Sequence, residues 1–242
     1  MTMAVGFRSL TGVVPCTDSL ESDGFTKRNV NKSKLLMYGQ GEWGVAIAGA
    51  GGAGIIDKFL PDAVGAIHDK TRGVYSQSKI EETIEKTLGT YIRKYKSNPF
   101  RVLVAIFNRM SIDDLLYRND DNCLTPIRDY VHVGVGASLW GLFVETLYHQ
   151  NMTTQECAAL GIFILAQAKE YVGDVGGPTR VVVHERMSSH PGWRQYTRQE
   201  IAEVEAKVSS ADLAAELRRY WRERFKLKRH FEDLYPPDKS KQ

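Results

Sequence analysis

The first fifty residues alternate short apolar stretches with polar or glycine-containing turns, a pattern typical of strands in an antiparallel sheet. Four stretches have this β-prone character, at residues 4–9, 12–17, 35–37 and 43–48. Leu10 and Thr11 lie between the first two stretches and suit a hairpin connection. We therefore expect the chain to begin with an antiparallel sheet that opens on a hairpin.

Residues 55–69 change to helical periodicity, because their apolar residues recur at spacings of three to five. Pro61 interrupts this pattern, and we place it in the first turn of a new helix, where proline is tolerated. Residues 78–96 also present one apolar face, and Ser78 with Glu81 three residues later predicts a capping box at their start. The first strands are thus followed by two predicted helices.

The rest of the chain returns to strands, adds two helices and ends with a strand and a helix. Thr153 and Glu156 form a second capping-box pattern. The predicted elements are strands 101–107, 114–117, 130–133 and 179–184, and helices 137–148, 153–171 and 199–227. This order predicts an α+β protein with stacked sheets and helix pairs outside, and it does not fit strict βαβ alternation. We expect one domain over residues 1–198, followed by a C-terminal helical extension and polar tail over 199–242.

Composition places the chain among ordinary globular proteins. Hydrophobic residues make up 43% and charged residues 25% of the 242 residues, and the formal net charge is +3. These values exclude a disordered chain, a collagen-like repeat and a disulfide-stapled mini-protein. The small net charge gives no reason to expect nucleic acid as a partner. The longest uncharged run, residues 130–144, is shorter than the about 20 apolar residues of a membrane-spanning helix, so we expect no membrane association.

Motifs for metals and cofactors are weak, and we expect neither. Cys16, Cys123 and Cys157 are widely separated, and none of the six histidines lies in a metal-binding spacing. We interpret the cysteines as buried, reduced thiols of a cytoplasmic protein. The glycines of residues 49–54 match a dinucleotide-binding pattern, but two predicted helices follow instead of a crossover to a parallel strand. A tightly packed strand-to-helix turn is the preferred interpretation.

The N-terminus offers more specific chemistry. Removal of Met1 would leave Thr2 with a free α-amine, and a small second residue generally permits that removal. An α-amine has a pKa of about 8, so it can act as a base at neutral pH. It can accept the proton of the hydroxyl on the same residue, which turns an N-terminal threonine into a nucleophile.

Two further residues have a spacing that matters for this chemistry. Asp18 lies 16 residues after Thr2, and Lys34 lies 32 residues after it. The segments TMAVGFRSLTGVVPCTDS, GFTKRNVNKSKLL and WGVAIAGA resemble the β-type subunit of the proteasome and its bacterial homologues. GVGASLWGLFVETLY and the GGPT of residues 176–179 resemble later parts of the same subunit.

The resemblance implies a four-layer αββα sandwich of the N-terminal-nucleophile hydrolase type, with threonine peptidase activity. Thr2 would be the nucleophile and its amine the base. Lys34 would lower the pKa of the threonine hydroxyl or relay its proton, and Asp18 would keep Lys34 charged and oriented. The backbone N–H of Gly49 would face the developing oxyanion.

The resemblance also implies a substrate pocket and partners. Glu21, Lys32, Ile47 and Gly51 would line the pocket for the side chain that precedes the cleaved bond. Identical subunits would assemble into a ring or stacked rings that enclose peptides or unfolded proteins. An ATP-dependent unfoldase is a further candidate partner.

Three positions depart from the family pattern. Val135, Val172 and Val175 stand where the family has two serines and an aspartate that support the threonine amine. Two alternatives to the peptidase therefore stay open. One is a non-catalytic assembly subunit of the same fold, and the other is an amidohydrolase of the same nucleophile class that acts on small amides.

Overall fold

Two antiparallel five-stranded sheets stack face to face in the computed structural model. It describes residues 3–22, 27–29, 33–38, 42–51, 54–96, 100–109, 114–134, 137–173, 175–186 and 192–208. The strands are β1 (Met3–Arg8), β2 (Gly12–Thr17), β3 (Leu20–Ser22), β4 (Lys27–Asn29), β5 (Ser33–Tyr38), β6 (Trp43–Gly51), β7 (Phe100–Asn108), β8 (Leu115–Asp120), β9 (Cys123–Ile127), β10 (Tyr130–Gly134), β11 (Arg180–Glu185) and β12 (Gly192–Gln195). The helices are α1 (Ile55–Thr71), α2 (Gln77–Lys94), α3 (Ala137–Leu147), α4 (Thr154–Tyr171) and α5 (Arg198–Val208).

The strand order places the first strand, β1, and the last strand, β12, in the same sheet. The first sheet has the order β10-β1-β2-β11-β12, and the second has the order β5-β6-β7-β8-β9. The predicted hairpin is confirmed, because β1 and β2 pair antiparallel from Ala4 opposite Thr17 to Arg8 opposite Val13. The hairpin of β3 and β4 and the strands β9 and β12 were not among the predicted elements.

Three apolar clusters fill the spaces between four layers. Small residues dominate the cluster between the sheets, which includes Ala4 on β1 and the β6 alanines Ala46, Ala48 and Ala50. A second cluster joins the first sheet to α3, α4 and α5, and a third joins the second sheet to α1 and α2. The expected αββα sandwich is therefore the observed fold.

Helix boundaries correct two of the predictions. Pro61 does not begin a new helix, since α1 runs without a break from Ile55 to Thr71. Phe59 and Ala63, on either side of Pro61, are buried. Their burial stabilises the helix even though Pro61 has no N–H to donate within it. Ser78 is not a cap either, because α2 begins one residue earlier, at Gln77.

Other local predictions can also be compared with the structure. The capping box of Thr153 and Glu156 at the start of α4 is confirmed. Cys16 and Cys157 are buried as expected, but Cys123 is exposed, because it begins the edge strand β9. Within the described ranges, no helix is long and apolar enough to cross a membrane.

A polar cluster around the buried Asp114 bridges the two sheets. Asp114 directly precedes β8 of the second sheet, and its carboxylate oxygens lie 3.1 Å from His184 Nδ1 and 3.1 Å from Arg186 Nε. His184 is on β11 of the first sheet, and its ring stacks on that of Phe107 at 3.8 Å between centroids. This cluster lies at the end of the sandwich remote from Met3, because His184 is opposite Val13, whereas Met3 lies at the Thr17 end of β2.

Candidate active site

Asp18 directly follows β2 and is fully buried beside Met3, the first residue of β1. Its Oδ1 accepts a hydrogen bond from the Met3 amide at 3.2 Å, and its own amide donates to the Met3 carbonyl at 3.2 Å. The Met3 nitrogen belongs to the peptide bond that joins residues 2 and 3. The Asp18 carboxylate therefore lies beside the peptide that follows residue 2.

The second oxygen of Asp18 binds the loop that precedes β11. Oδ2 accepts a hydrogen bond from the Gly176 amide at 3.2 Å. The Gly176 carbonyl in turn accepts from the amides of Ser19 at 3.2 Å and Leu20 at 2.9 Å. A Cβ on Gly176 would lie 2.9 Å from Leu20 Cδ2, so the close approach of these two segments favours glycine. Backbone contacts on both sides thus hold Asp18 in place.

The remaining polar residues of the predicted site are the catalytic candidates Thr2 and Lys34 and the pocket candidates Glu21 and Lys32. Thr2 and Lys32 lie outside the described residues. For Lys34 and Glu21 only the backbone is described: Lys34 is opposite Ile47 in the β5–β6 pair, and Glu21 is opposite Arg28 in the β3–β4 hairpin. The contact of Lys34 with Thr2 and Asp18 stays a prediction.

Gly49 lies on β6 one residue beyond the described β5–β6 pairs. The last of these described pairs is Ser33 with Ala48, and Gly49 is opposite Val102 of β7. The Val102 amide points away from β6, because it donates to Asn119 Oδ1 at 2.6 Å. Gly49 therefore belongs to a pair that is not hydrogen-bonded across β6 and β7, and its N–H points away from β7, past the end of β5.

Packing accounts for the residue type at two of the predicted positions. A Cβ on Gly49 would lie 2.6 Å from Ile56 Cδ1 of α1, so the approach of this helix to β6 requires a glycine. Ile47 has no exposed surface and belongs to the apolar cluster beneath α1 and α2. Gly51 has a φ of 142°, which disfavours other residues. Pocket-lining roles for Ile47 and Gly51 stay predictions.

The two described positions that depart from the family pattern have apolar surroundings. Val175 is buried, and Val172 packs against the same cluster between the first sheet and its helices. The Val175 amide donates to the Val172 carbonyl at 2.9 Å, which closes the turn after α4. Val135 lies outside the described residues. Neither described valine brings a polar group to the neighbourhood of Asp18.

Sequence reasoning did not single out the hydroxyl residues on either side of Asp18. Thr17 and Ser19 are each 1% exposed, and within the described part of the chain their hydroxyl oxygens have no hydrogen-bond partner. The sequence signal is the run Thr17-Asp18-Ser19 directly after an apolar strand.

Across the described ranges, no group of three or more metal-ligating side chains comes together.

Comparisons with known proteins find solved structures that have a similar fold. No protein-family model and no curated protein sequence matches the chain. The solved structure of Anbu (ancestral beta-subunit) from Yersinia bercovieri is similar with a TM-score of 0.73 and 12% identity, over 89% of this chain and 97% of that one. Anbu from Hyphomicrobium sp. strain MC1 is similar at 0.68 and 16%, over 88% and 96%. Its Gly-1 mutant is similar at 0.72 and 14%, over 89% and 96%. The chain therefore has the fold of proteasome-like N-terminal-nucleophile hydrolases.

Proposed function

We propose that this chain is a threonine peptidase subunit that uses Thr2 as its nucleophile after removal of Met1. The carrying observation is the position of Asp18, whose buried carboxylate binds the Met3 amide next to residue 2. Burying a carboxylate costs free energy unless the charge is paired, and a cation that this carboxylate orients beside the N-terminus would supply that pairing. Lys34 is the cation that the sequence spacing offers.

The chemistry follows from these groups. The α-amine of Thr2 accepts the proton of its hydroxyl, and the oxygen attacks the scissile carbonyl carbon. The Gly49 N–H, directed past the end of β5, donates to the oxyanion of the tetrahedral intermediate. Collapse of the intermediate breaks the C–N bond, and the protonated amine returns its proton to the leaving amine. Water then hydrolyses the ester with the same amine as the base and frees Thr2.

The substrate and assembly belong to the same proposal. Peptides or unfolded polypeptides are the substrates, and Glu21, Lys32, Ile47 and Gly51 line the pocket for the side chain before the cleaved bond. Identical subunits form a ring or stacked rings. Sedimentation of the purified chain at micromolar concentration is expected to show an assembly of many subunits, and a stable monomer would contradict it.

A non-catalytic assembly subunit is the second candidate. The buried Val175 and the partly buried Val172 favour it, because neither can exchange a proton with the threonine amine. On the peptidase proposal the same valines slow turnover more than nucleophilic attack. The two candidates therefore differ in whether Thr2 reacts with an electrophile at all.

Covalent labelling separates these candidates. The mass of the N-terminal peptide is first expected to show a mature chain that begins at Thr2. A β-lactone or a peptide boronate is then expected to form an adduct at Thr2. Thr2→Ala and Lys34→Ala are each expected to abolish the adduct. Lys86→Ala, which changes an exposed lysine on the remote helix α2, is expected to label as the unmodified chain does. A retained Met1, or no adduct with either reagent on a chain that begins at Thr2, would overturn the peptidase proposal.

A further inference from the structure

A three-residue polar contact joins the last described helix to the loop beneath Asp18. Lys169 Nζ on α4 donates to Thr179 Oγ1 at 2.6 Å and to Glu205 Oε1 on α5 at 3.1 Å. The Thr179 hydroxyl donates to the same Glu205 oxygen at 3.1 Å. Thr179 is 4% exposed, and the side chains of Lys169 and Glu205 are 22% and 33% exposed. The contact is thus a largely sheltered triangle rather than a surface ion pair.

Glu205 completes the hydrogen bonding of the other two residues. A lysine ammonium only donates, so the Thr179 oxygen that accepts from Lys169 must direct its own proton to another acceptor. Glu205 is that acceptor, and it also balances the charge of Lys169. Loss of the carboxylate would leave a buried hydroxyl proton and a partly buried ammonium without their partner.

The loop from α4 to β11 connects this triangle to Asp18. Thr179 is three residues after Gly176, whose amide donates to Asp18 Oδ2. At its other end the loop is closed by the hydrogen bond from the Val175 amide to the Val172 carbonyl. Asp18 in turn holds the Met3 amide. The contacts of Glu205 with Thr179, the short segment from Gly176 to Thr179, and the contacts of Asp18 with Gly176 and Met3 therefore connect α5 to the first strand.

We propose that Glu205 is a positioning residue, which fixes the loop of Gly176 through Thr179 and so holds Asp18 beside residue 2. The catalytic meaning of this role rests on the proposed function, whereas the positioning itself does not. No sequence pattern points to this role, because Glu205 lies in a segment predicted to be an extension outside the main domain.

Amide hydrogen exchange tests the positioning without requiring activity. Glu205→Ala is expected to raise the exchange rates of the Gly176 and Met3 amides about tenfold, because their common acceptor Asp18 loses its support. Amides across β11 are expected to be unchanged. Glu203→Ala is the matched control, since Glu203 is an exposed glutamate on the same helix and accepts a hydrogen bond from Gln199, one turn away on that helix. It is expected to leave all these amides at their original rates.

Two further variants keep the test decisive if Glu205→Ala loosens the whole of α5. Glu205→Gln retains an acceptor for the Thr179 hydroxyl and is expected to restore most of the protection. Thr179→Val removes the hydroxyl without changing the shape of the side chain and is expected to raise exchange at Gly176. Unchanged exchange at Gly176 in both Glu205→Ala and Thr179→Val would overturn the inference, as would an equal rise across β11.

Labelling at Thr2 then distinguishes this inference from the proposed function. If both hold, Glu205→Ala is expected to slow adduct formation about tenfold, and Glu205→Gln is expected to recover most of the rate. Raised exchange at Gly176 in a protein that never labels would support the positioning and overturn the peptidase. Normal labelling of Glu205→Ala despite raised exchange would overturn the role of Glu205 in the chemistry.

Discussion

Burial divides the three cysteines into two kinds of thiol. Desolvation raises the pKa of Cys16, and the neighbouring Cys157 adds to the effect; desolvation also raises the pKa of Cys157 to about 12. Both residues are thus protonated and enclosed at neutral pH, whereas Cys123 is exposed. We expect an aromatic disulfide reagent to modify one thiol per folded chain and three per unfolded chain. Cys123→Ser is expected to remove the fast reaction, and two fast thiols per folded chain would contradict the burial of the other pair.

Gly49 and Gly65 offer a matched pair of glycines for substitution. A Cβ at Gly49 would lie 2.6 Å from Ile56 Cδ1 and 2.7 Å from Ile56 Cγ2, so Gly49→Ala must push α1 away from β6. We expect it to lower the free energy of unfolding by about 1–3 kcal/mol in chemical denaturation. At Gly65, inside α1, a Cβ meets nothing within 4 Å. Gly65→Ala is expected to raise the free energy of unfolding by about 0.5–1 kcal/mol, because alanine favours the helix. Equal effects of both substitutions would contradict the packing at Gly49.

At the scale of single elements, the start of α5 depends on an ionised carboxylate. Glu200 Oε2 accepts from the Thr197 amide at 2.7 Å, and Arg194 Nη1 donates to Glu200 Oε1 at 2.5 Å. The hydrogen bond from the Thr197 backbone contributes most, and Arg194 next, to lowering the pKa of Glu200 to about 2. Because this folded-state pKa is below that of an unfolded glutamate, the stabilisation is present above about pH 4.5 and is lost as the pH falls towards 2.

Glu200→Gln tests this pH dependence. Glutamine can keep the capping geometry but does not titrate, so the unmodified chain gains more stability than the variant as the pH rises from about 2 to 4.5. We expect the difference in melting temperature between the two proteins to grow over that interval and to stay constant from pH 5 to 7. The carboxyl resonance of Glu200 is expected to titrate with a midpoint of about 2. A midpoint near 4.5 would show that the cap does not form.

Elements with a strong local signal could be predicted from the sequence, and elements without one could not. The β1–β2 hairpin and the capping box of Thr153 and Glu156 are local features, and both are confirmed. β9 has a proline at Pro126 and only partly buried or exposed residues, so no apolar alternation marks it. The break expected at Pro61 is wrong because tertiary burial of the neighbouring α1 residues outweighs the lost hydrogen bond.

The candidate site likewise contains one residue that the sequence indicated and contacts that it could not indicate. The resemblance to a known family indicated Asp18, and the structure adds the contact of its carboxylate with the Met3 amide. No sequence pattern could have revealed the contact with Gly176, because 158 positions separate the two residues. The same holds for Glu205, whose importance depends on the packing of α5 against α4. Long-range backbone contacts depend on the complete fold rather than on any local motif.

At the scale of the whole molecule, the polar side chains at the two ends of the sandwich make different contacts. At the end near Met3, Asp18 contacts the backbone of Met3 and Gly176, and all three residues lie on or next to strands of the first sheet or in the loop before its strand β11. The opposite end relies on Asp114, which is 1% exposed and contacts His184 and Arg186 from the other sheet. Both contacts are 3.1 Å long and lack the alignment of good hydrogen bonds, and the one with the Arg186 guanidinium pairs two charges. Charge, rather than hydrogen-bond geometry, is therefore what Asp114 contributes.

Asp114→Asn isolates that contribution, since asparagine has nearly the same shape and no charge. The change leaves the Arg186 guanidinium, only 26% exposed, without its anion, and the loss of one partner of a buried ion pair costs about 3 kcal/mol. For a chain of this size we expect the melting temperature to fall by roughly 10 °C at pH 7. Asp121→Asn is the control, because Asp121 is exposed in a left-handed turn with a φ of 55°, a conformation that asparagine adopts readily. That variant is expected to melt with the unmodified chain. Equal melting temperatures for Asp114→Asn and Asp121→Asn would show that the apolar layer alone joins the sheets at this end.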